Sequence, residues 1–283
     1  MSVSDPSSSP LLPRPPAPRV KRLRPVHRPL PFVTARVVTA LILREMTSTY
    51  GRKPGGYLWA VLEPVAGIAL MSWVFSLALR KPQLGTDFMM FYATGMMPFW
   101  VVTQVSARVS QSLRYSRQLL TYPRVTVLDA LVARCVLNIM LLLLVSYLVI
   151  GGTRLVKDTG TMVDLPRVML GFAMAASLAA GIGSLNCVLM TAFPLYGTFW
   201  GIATRPLMLL SGVILMVDGL PEPYRSWLLW NPIVHVVAEV RAGFYFGYHP
   251  SFVSPVYVFG VSMVLLVAGI LFTWRFHREA LEP

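Results

Sequence analysis

Apolar residues gather along this chain in blocks of about twenty, separated by shorter stretches that hold most of the Arg, Lys, Pro and Gly. A helix of roughly 20 residues crosses the hydrocarbon core of a bilayer. Six blocks are predicted as spans, at residues 57–79, 88–107, 133–152, 168–190, 198–217 and 255–274. Ahead of them, residues 32–50 contain few breakers and read as a helix. Its Arg36, Arg44 and Glu45 spread over a broad arc, which suits a helix lying on the membrane surface. The GRKPGG run at 51–56 ends it. Residues 218–252 are less apolar and too short for two more spans, so they are predicted as short helices dipping into the membrane edge. The expected fold is all-α and integral to the membrane: six transmembrane helices, an N-terminal cytoplasmic interface helix, and short re-entrant periplasmic helices before the last span.

Composition agrees. Hydrophobic residues make up 55% and charged residues 13%, with a mean hydropathy of +0.61, whereas soluble domains carry about 25% charge. Residues 1–31, rich in Pro, Ser and Arg, are predicted to be a disordered cytoplasmic tail. No apolar core with a small-residue cleavage site follows the basic stretch, so a signal peptide is not expected. The transmembrane domain is expected to cover 32–278. A net charge of +13 could point to nucleic acid, but the cations sit between the blocks, where topology accounts for them. With the N-terminus inside, the inner segments hold 17 Lys and Arg and the outer ones seven. Both termini are therefore expected in the cytoplasm.

No catalytic constellation can be assembled. His27, His235, His249 and His277 have no metal-ligand spacing, and Cys135 and Cys187 fall inside apolar blocks. There is no GxSxG elbow and no GxxxxGK[ST] phosphate loop. The chain is expected to hold no metal or cofactor, and if it pumps anything, the motor is another polypeptide. Glu63 and Arg205 lie within spans, each at a cost of about 2.5–3.5 kcal/mol near the bilayer centre. Either they pair, within or across subunits, or each snorkels to the headgroups. Large aromatics such as Trp59, Trp73, Tyr92, Trp100 and Trp200 suit interfacial anchors or a stacking path for sugars. Gly171, Ala175, Ala179 and Gly183 form a small-residue stripe for close helix approach. Pro64, Pro98 and Pro206 predict kinks or unwound turns. The basic stretch 112–134 is expected to break into two short helices at Pro123, as an ordinary inner loop or a docking surface.

Three segments carry a family resemblance. LILREMTSTYGRKPGGYLWAVLEP (41–64) resembles the N-terminal signature of type-2 ABC exporter permeases that move polysaccharides. LLTYPRVTVLDALVAR (119–134) is similar to that family's cytoplasmic coupling region, and NPIVHVVAEVRAGFYF (231–246) to its periplasmic segment before the last span. The resemblance covers about 32–278 and is strongest to the capsular-polysaccharide export permeases of Gram-negative bacteria.

It implies a homodimer joined by two copies of a separate ATP-binding subunit, which would bind ATP and Mg. Lipid-linked glycan would pass between the two copies along the first and fifth spans. Arg44, Glu45, Arg114, Arg117, Tyr122, Pro123 and Arg124 would couple to the ATPase. Trp59, Glu63, Trp73, Tyr92, Trp100, Trp200 and Arg205 would line the substrate pathway. Trp227, Trp230, Asn231, Pro232, Glu239 and Arg241 would form a periplasmic gate. Membrane lipid, a periplasmic adaptor and an outer-membrane exporter would be further partners, and nucleic acid would not. The chain departs from the pattern in its Pro-rich leader and in Lys53-Pro54. A permease for a drug, lipid, O-antigen or other cargo is the near alternative; a membrane-embedded acyl or glycosyl transferase is the distant one.

Overall fold

Side-chain caps mark the starts of four helices, and a glycine turn follows the end of a fifth, in the computed structural model. It describes residues 33–49, 56–78, 81–116, 126–157 and 160–276. The predicted 1–31 tail lies outside them. The elements are α1 (Val33–Thr49), α2 (Gly56–Ala78), α3 (Phe88–Ser110), α4 (Ser112–Ser116), α5 (Val127–Val156), α6 (Leu165–Ala192) and α7 (Tyr196–Leu210). A 3₁₀ turn at Val217–Gly219, then α8 (Tyr224–Leu228), α9 (Pro232–Phe244) and α10 (Pro255–Phe276) complete the order. No strand occurs among the described residues.

Asp87 caps α3 by accepting from the Met90 amide at 3.0 Å. Thr126 and Asp129 form a reciprocal capping box at the start of α5. Asp164 caps α6, with Pro166 in its first turn. Each cap satisfies amides that a helix start leaves unpaired.

α6 sits at the centre, packed against α3, α9 and α10. Glycines permit this. A Cβ on Gly171 would lie 2.5 Å from Val240 of α9, and one on Gly243 of α9 would lie 2.6 Å from Val168 of α6. The predicted stripe is thus divided: Gly171 seats α9, while Gly183 seats Val109 of α3. Phe91, Met97, Val101, Val105, Met174 and Leu178 fill the space between α3 and its neighbours. α2 packs on α3 and α5 yet leaves Leu58, Leu62, Leu70 and Leu77 exposed, and α7 buries no residue.

Among the described residues, four helices are long and apolar enough to cross a membrane: Leu58–Leu77, Val127–Val156, Leu165–Ala192 and Pro255–Arg275. α3 carries Thr94, Gln104, Ser106 and Arg108 and falls outside that set, as does α7 at 15 residues.

Several predicted boundaries change. The block at 198–217 is not one helix: α7 stops at Leu210, and Gly212 turns the chain with φ +73°, a conformation that favours glycine. The block at 133–152 is the middle of a 30-residue helix that starts at Val127. Arg134, at the edge of both the predicted span and the 112–134 stretch, therefore lies well inside one long helix. Pro64, Pro98 and Pro206 lie within helices that continue through them without an unwound turn. In the 112–134 stretch, α4 and the start of α5 are present, while 117–125, including Pro123, lies outside the described residues.

Candidate functional site at the two ends of the bundle

α3 and α5 run antiparallel, so the bundle has two ends. At one, Lys157 just past α5 meets Asp87 at the start of α3 at 2.6 Å. At the other, the start of α5 meets the end of α3, together with α1 and α4.

That second end is organised by Arg134. Its Nε donates to Oε2 of Glu45 at 3.0 Å, with Oε1 of the same carboxylate also 3.0 Å away, joining α5 to α1. Its Nη1 donates to the Arg108 carbonyl at 3.0 Å, in the last turn of α3. Its guanidinium lies 4.3 Å from the centre of the Tyr115 ring, which α4 supplies. One planar cation thereby answers a carboxylate, an unpaired helix-end carbonyl and a π face. The side chains of Arg134 and Glu45 are 6% and 13% exposed, so water screens the pair only weakly.

Of the predicted coupling residues, Arg44 and Arg114 are exposed at this end, while the Glu45 carboxylate turns inward. Arg117, Tyr122, Pro123 and Arg124 lie outside the described residues. Arg134 escaped the sequence reading because its partners are 26 and 89 positions away. The one signal was an arginine within ten residues of a capping box.

The other end is tied by α9. Asn231 bridges two helices: its Nδ2 donates to the Leu210 carbonyl that ends α7, and its Oδ1 accepts from the Ile233 amide that begins α9, both at 3.1 Å. Pro232 follows at the first helical position, where a missing N–H costs nothing. Arg241 is 2% exposed and donates to the carbonyls of Gly212 and Val213, each at 2.6 Å. Its guanidinium rests 4.2 Å from the Phe91 ring centre, and its Nε has no partner. The loop after α7 is held further by Met216 N–H donating to Gln83, and by the Tyr248 hydroxyl donating to Asp218, both at 2.6 Å. Burial and the neighbouring Asp218 carboxylate push the Tyr248 phenol well above its ordinary pKa.

His235, also missed as a structural residue, bonds the Leu229 carbonyl through Nε2 and accepts from the Ser254 amide at Nδ1. Among the predicted gate residues, then, Asn231, Pro232 and Arg241 fasten helix ends and Glu239 is buried, whereas Trp227 and Trp230 are exposed.

The predicted pathway residues do not converge within one chain. Trp59 and Trp73 point outward from α2, at 66% and 62% exposure. Tyr92 is buried between Phe91 and Phe75, 5.1 Å from the latter ring centre. Trp100 packs near Gly67 of α2, and Trp200 stacks on Tyr196. Glu63 and Arg205 are both exposed, and no ion pair joins them among the described residues. No group of three His, Cys, Asp or Glu residues able to hold a metal occurs among the described residues.

An all-helical bundle with span-length apolar helices and exposed apolar faces defines a membrane protein. The profile of the ABC-2 type transporter family matches residues 36–245, and the chain belongs to that family. Its relatives include the polysialic acid transport protein KpsM of Escherichia coli, 28% identical over 86% of this chain and 94% of the relative. The capsule polysaccharide export inner-membrane proteins CtrC of Neisseria meningitidis serogroup B and BexB of Haemophilus influenzae are each 27% identical. Each covers 89% of this chain and 94% of its own length.

Proposed function

We propose that the chain is the transmembrane subunit of an ATP-driven exporter that moves capsular polysaccharide, carried on a lipid, across the bacterial inner membrane. The near end-to-end match to KpsM, CtrC and BexB carries this reading. ATP and Mg are bound by a separate ATPase subunit, and this chain performs no hydrolysis itself.

In this reading α2, α3, α5, α6, α7 and α10 are six spans, and α1 lies at the cytoplasmic face with both termini. α8 and α9 form the periplasmic layer ahead of the last span. α7 spans only part of the bilayer as helix, at about 1.5 Å per residue, and the turn at Gly212 completes the crossing within protein. The unburied faces of α2 and α7 suit a second copy of the chain. Pairing there would bring Trp59, Glu63, Trp73, Trp200 and Arg205 to a shared conduit. Arg44 and Arg114, with 117–124, would meet the ATPase. Trp227 and Trp230 would face the periplasm, where an adaptor leading to an outer-membrane exporter would dock. Driving energy enters as a difference in contacts between two arrangements of the subunits.

Deleting the gene and locating the glycan tests the proposal. Loss of surface polymer with accumulation inside the cell is expected; an undiminished surface layer refutes it, and retention of a different cargo selects another member of the transporter class.

A further inference from the structure

We infer that Arg134 is the pin through which a displacement of α1 reaches the spans, a positioning residue that neither touches cargo nor binds the ATPase. The inference rests on the reading that an ATP-hydrolysing partner docks at this end.

α1 buries no residue among its described side chains. Among the described residues, its other side-chain hydrogen bonds stay within its own turns. Among the described residues, the Glu45–Arg134 pair is the polar tie from α1 to the bundle. Beside it lies a cavity of about 20 Å³ lined in part by Leu41, Ser48 and Tyr115, space for roughly one water. The seat of α1 is therefore loosely packed, its apolar side chains at most half-buried, and among the described residues its polar fastening rests on one side chain.

That side chain is fixed on its far side. The Arg108 carbonyl and the Tyr115 ring hold the guanidinium in the plane from which Nε addresses Glu45. Four helices, α1, α3, α4 and α5, thus meet at one cation. Pushing α1 loads α3 and α5 together; cutting the pin leaves α1 free to move without them. An arginine is needed because its rigid fork serves two acceptors in different directions, whereas a lysine offers a single point of charge.

The test uses Arg134→Ala and Arg134→Lys in the full transporter with its ATPase, and Glu45→Gln in this chain in lipid nanodiscs. Hydrogen exchange over 33–49 reads the pin without any assumption about transport. Both Arg134→Ala and Glu45→Gln are expected to raise it about tenfold or more, with Arg134→Lys between them and wild type. In the full complex, Arg134→Ala is expected to copurify with the ATPase and hydrolyse ATP within about twofold of wild type while export falls about tenfold or more. Unchanged exchange over 33–49 overturns the pin, as does undiminished export or loss of ATPase binding along with export. Glu45→Gln keeps the exchange arm decisive even if Arg134→Ala fails to insert. If exchange rises as expected but no ATPase is recovered with wild-type protein, the pin stands and the transport reading falls.

Discussion

Each end of this bundle is fastened by an arginine, and the two arginines are held in opposite ways. Arg134 faces a carboxylate across a boundary between the bundle and a peripheral helix. Arg241 faces no carboxylate among the described residues: two backbone carbonyls and an aromatic ring take its charge, and its Nε goes unanswered. A pair at a boundary can part, because each member regains water as it separates. A cation enclosed among carbonyls has no such route, since removing it strands its acceptors. The α1 end is built to be separable, and the α9 end to stay closed unless α7, its loop and α9 move as one body.

The largest effect should come from Arg241. Replacing it with Ala orphans the Gly212 and Val213 carbonyls and opens a cavity against Phe91, for a loss of about 3–5 kcal/mol in thermal unfolding of the purified protein. Arg241→Met sharpens the point by keeping most of the volume. If carbonyl pairing is what matters, Met is about as harmful as Ala. A neutral or stabilised Met variant would show that the buried charge is a net cost, as it is for some buried ion pairs, and the contrast between the ends would collapse.

Next comes the seam that presses α9 onto α6. A methyl on Gly243 would meet Val168 side-chain and backbone atoms at 2.6 and 2.9 Å. Backbone cannot swing aside, so Gly243→Ala should cost about 1–3 kcal/mol, read as a lowered unfolding temperature. Gly151→Ala in α5, where a Cβ meets nothing within 4 Å, should cost nothing and gain up to about 1 kcal/mol from helix propensity, which controls for that contribution.

These residues also mark how far the sequence could be read. The caps Asp87, Asp164 and Asn231-Pro232, and the Thr126–Asp129 box, are local patterns, and each marks a helix start. Reading spans from apolarity alone hid two boundaries. Asp129 lowers the hydropathy of the first turn of α5, so the block seemed to begin at 133. Apolar residues beyond Gly212 seemed to prolong α7, although backbone conformation ends it. The partners of both anchors were hidden for another reason, although Arg241 itself stood among the gate residues. Arg134 and Arg241 bond to carbonyls, and every residue carries one, so no residue type announces the partner. The glycine seats were legible as small residues but not as partners, because Gly171 and Gly183 serve different helices.

A smaller effect is expected at the separable end. Glu45→Ala should shift global unfolding by about 1 kcal/mol or less, because α1 can detach without exposing the core. A double-mutant cycle between Glu45 and Arg134 should nevertheless give a coupling energy above about 0.5 kcal/mol. Were Glu45→Ala to cost as much as Arg241→Ala, α1 would belong to the cooperative core and the two ends would be alike.

The smallest effect separates two roles of one carboxylate. Asp87 pairs with Lys157, whose side chain is 47% exposed, and also caps α3 through the Met90 amide. An ion pair that open to solvent contributes about 0–1 kcal/mol and fades with salt, whereas a cap is worth about 0.5–2 kcal/mol at any ionic strength. Lys157→Gln should therefore change the unfolding temperature barely, and less still in high salt. Asp87→Asn keeps a capping oxygen and loses only the charge, so it should match Lys157→Gln. Asp87→Ala loses both and should cost more by the worth of the cap. If Asn proves as harmful as Ala, charge rather than the cap anchors the start of α3, and this end owes more to ion pairing than its buried arginine implies.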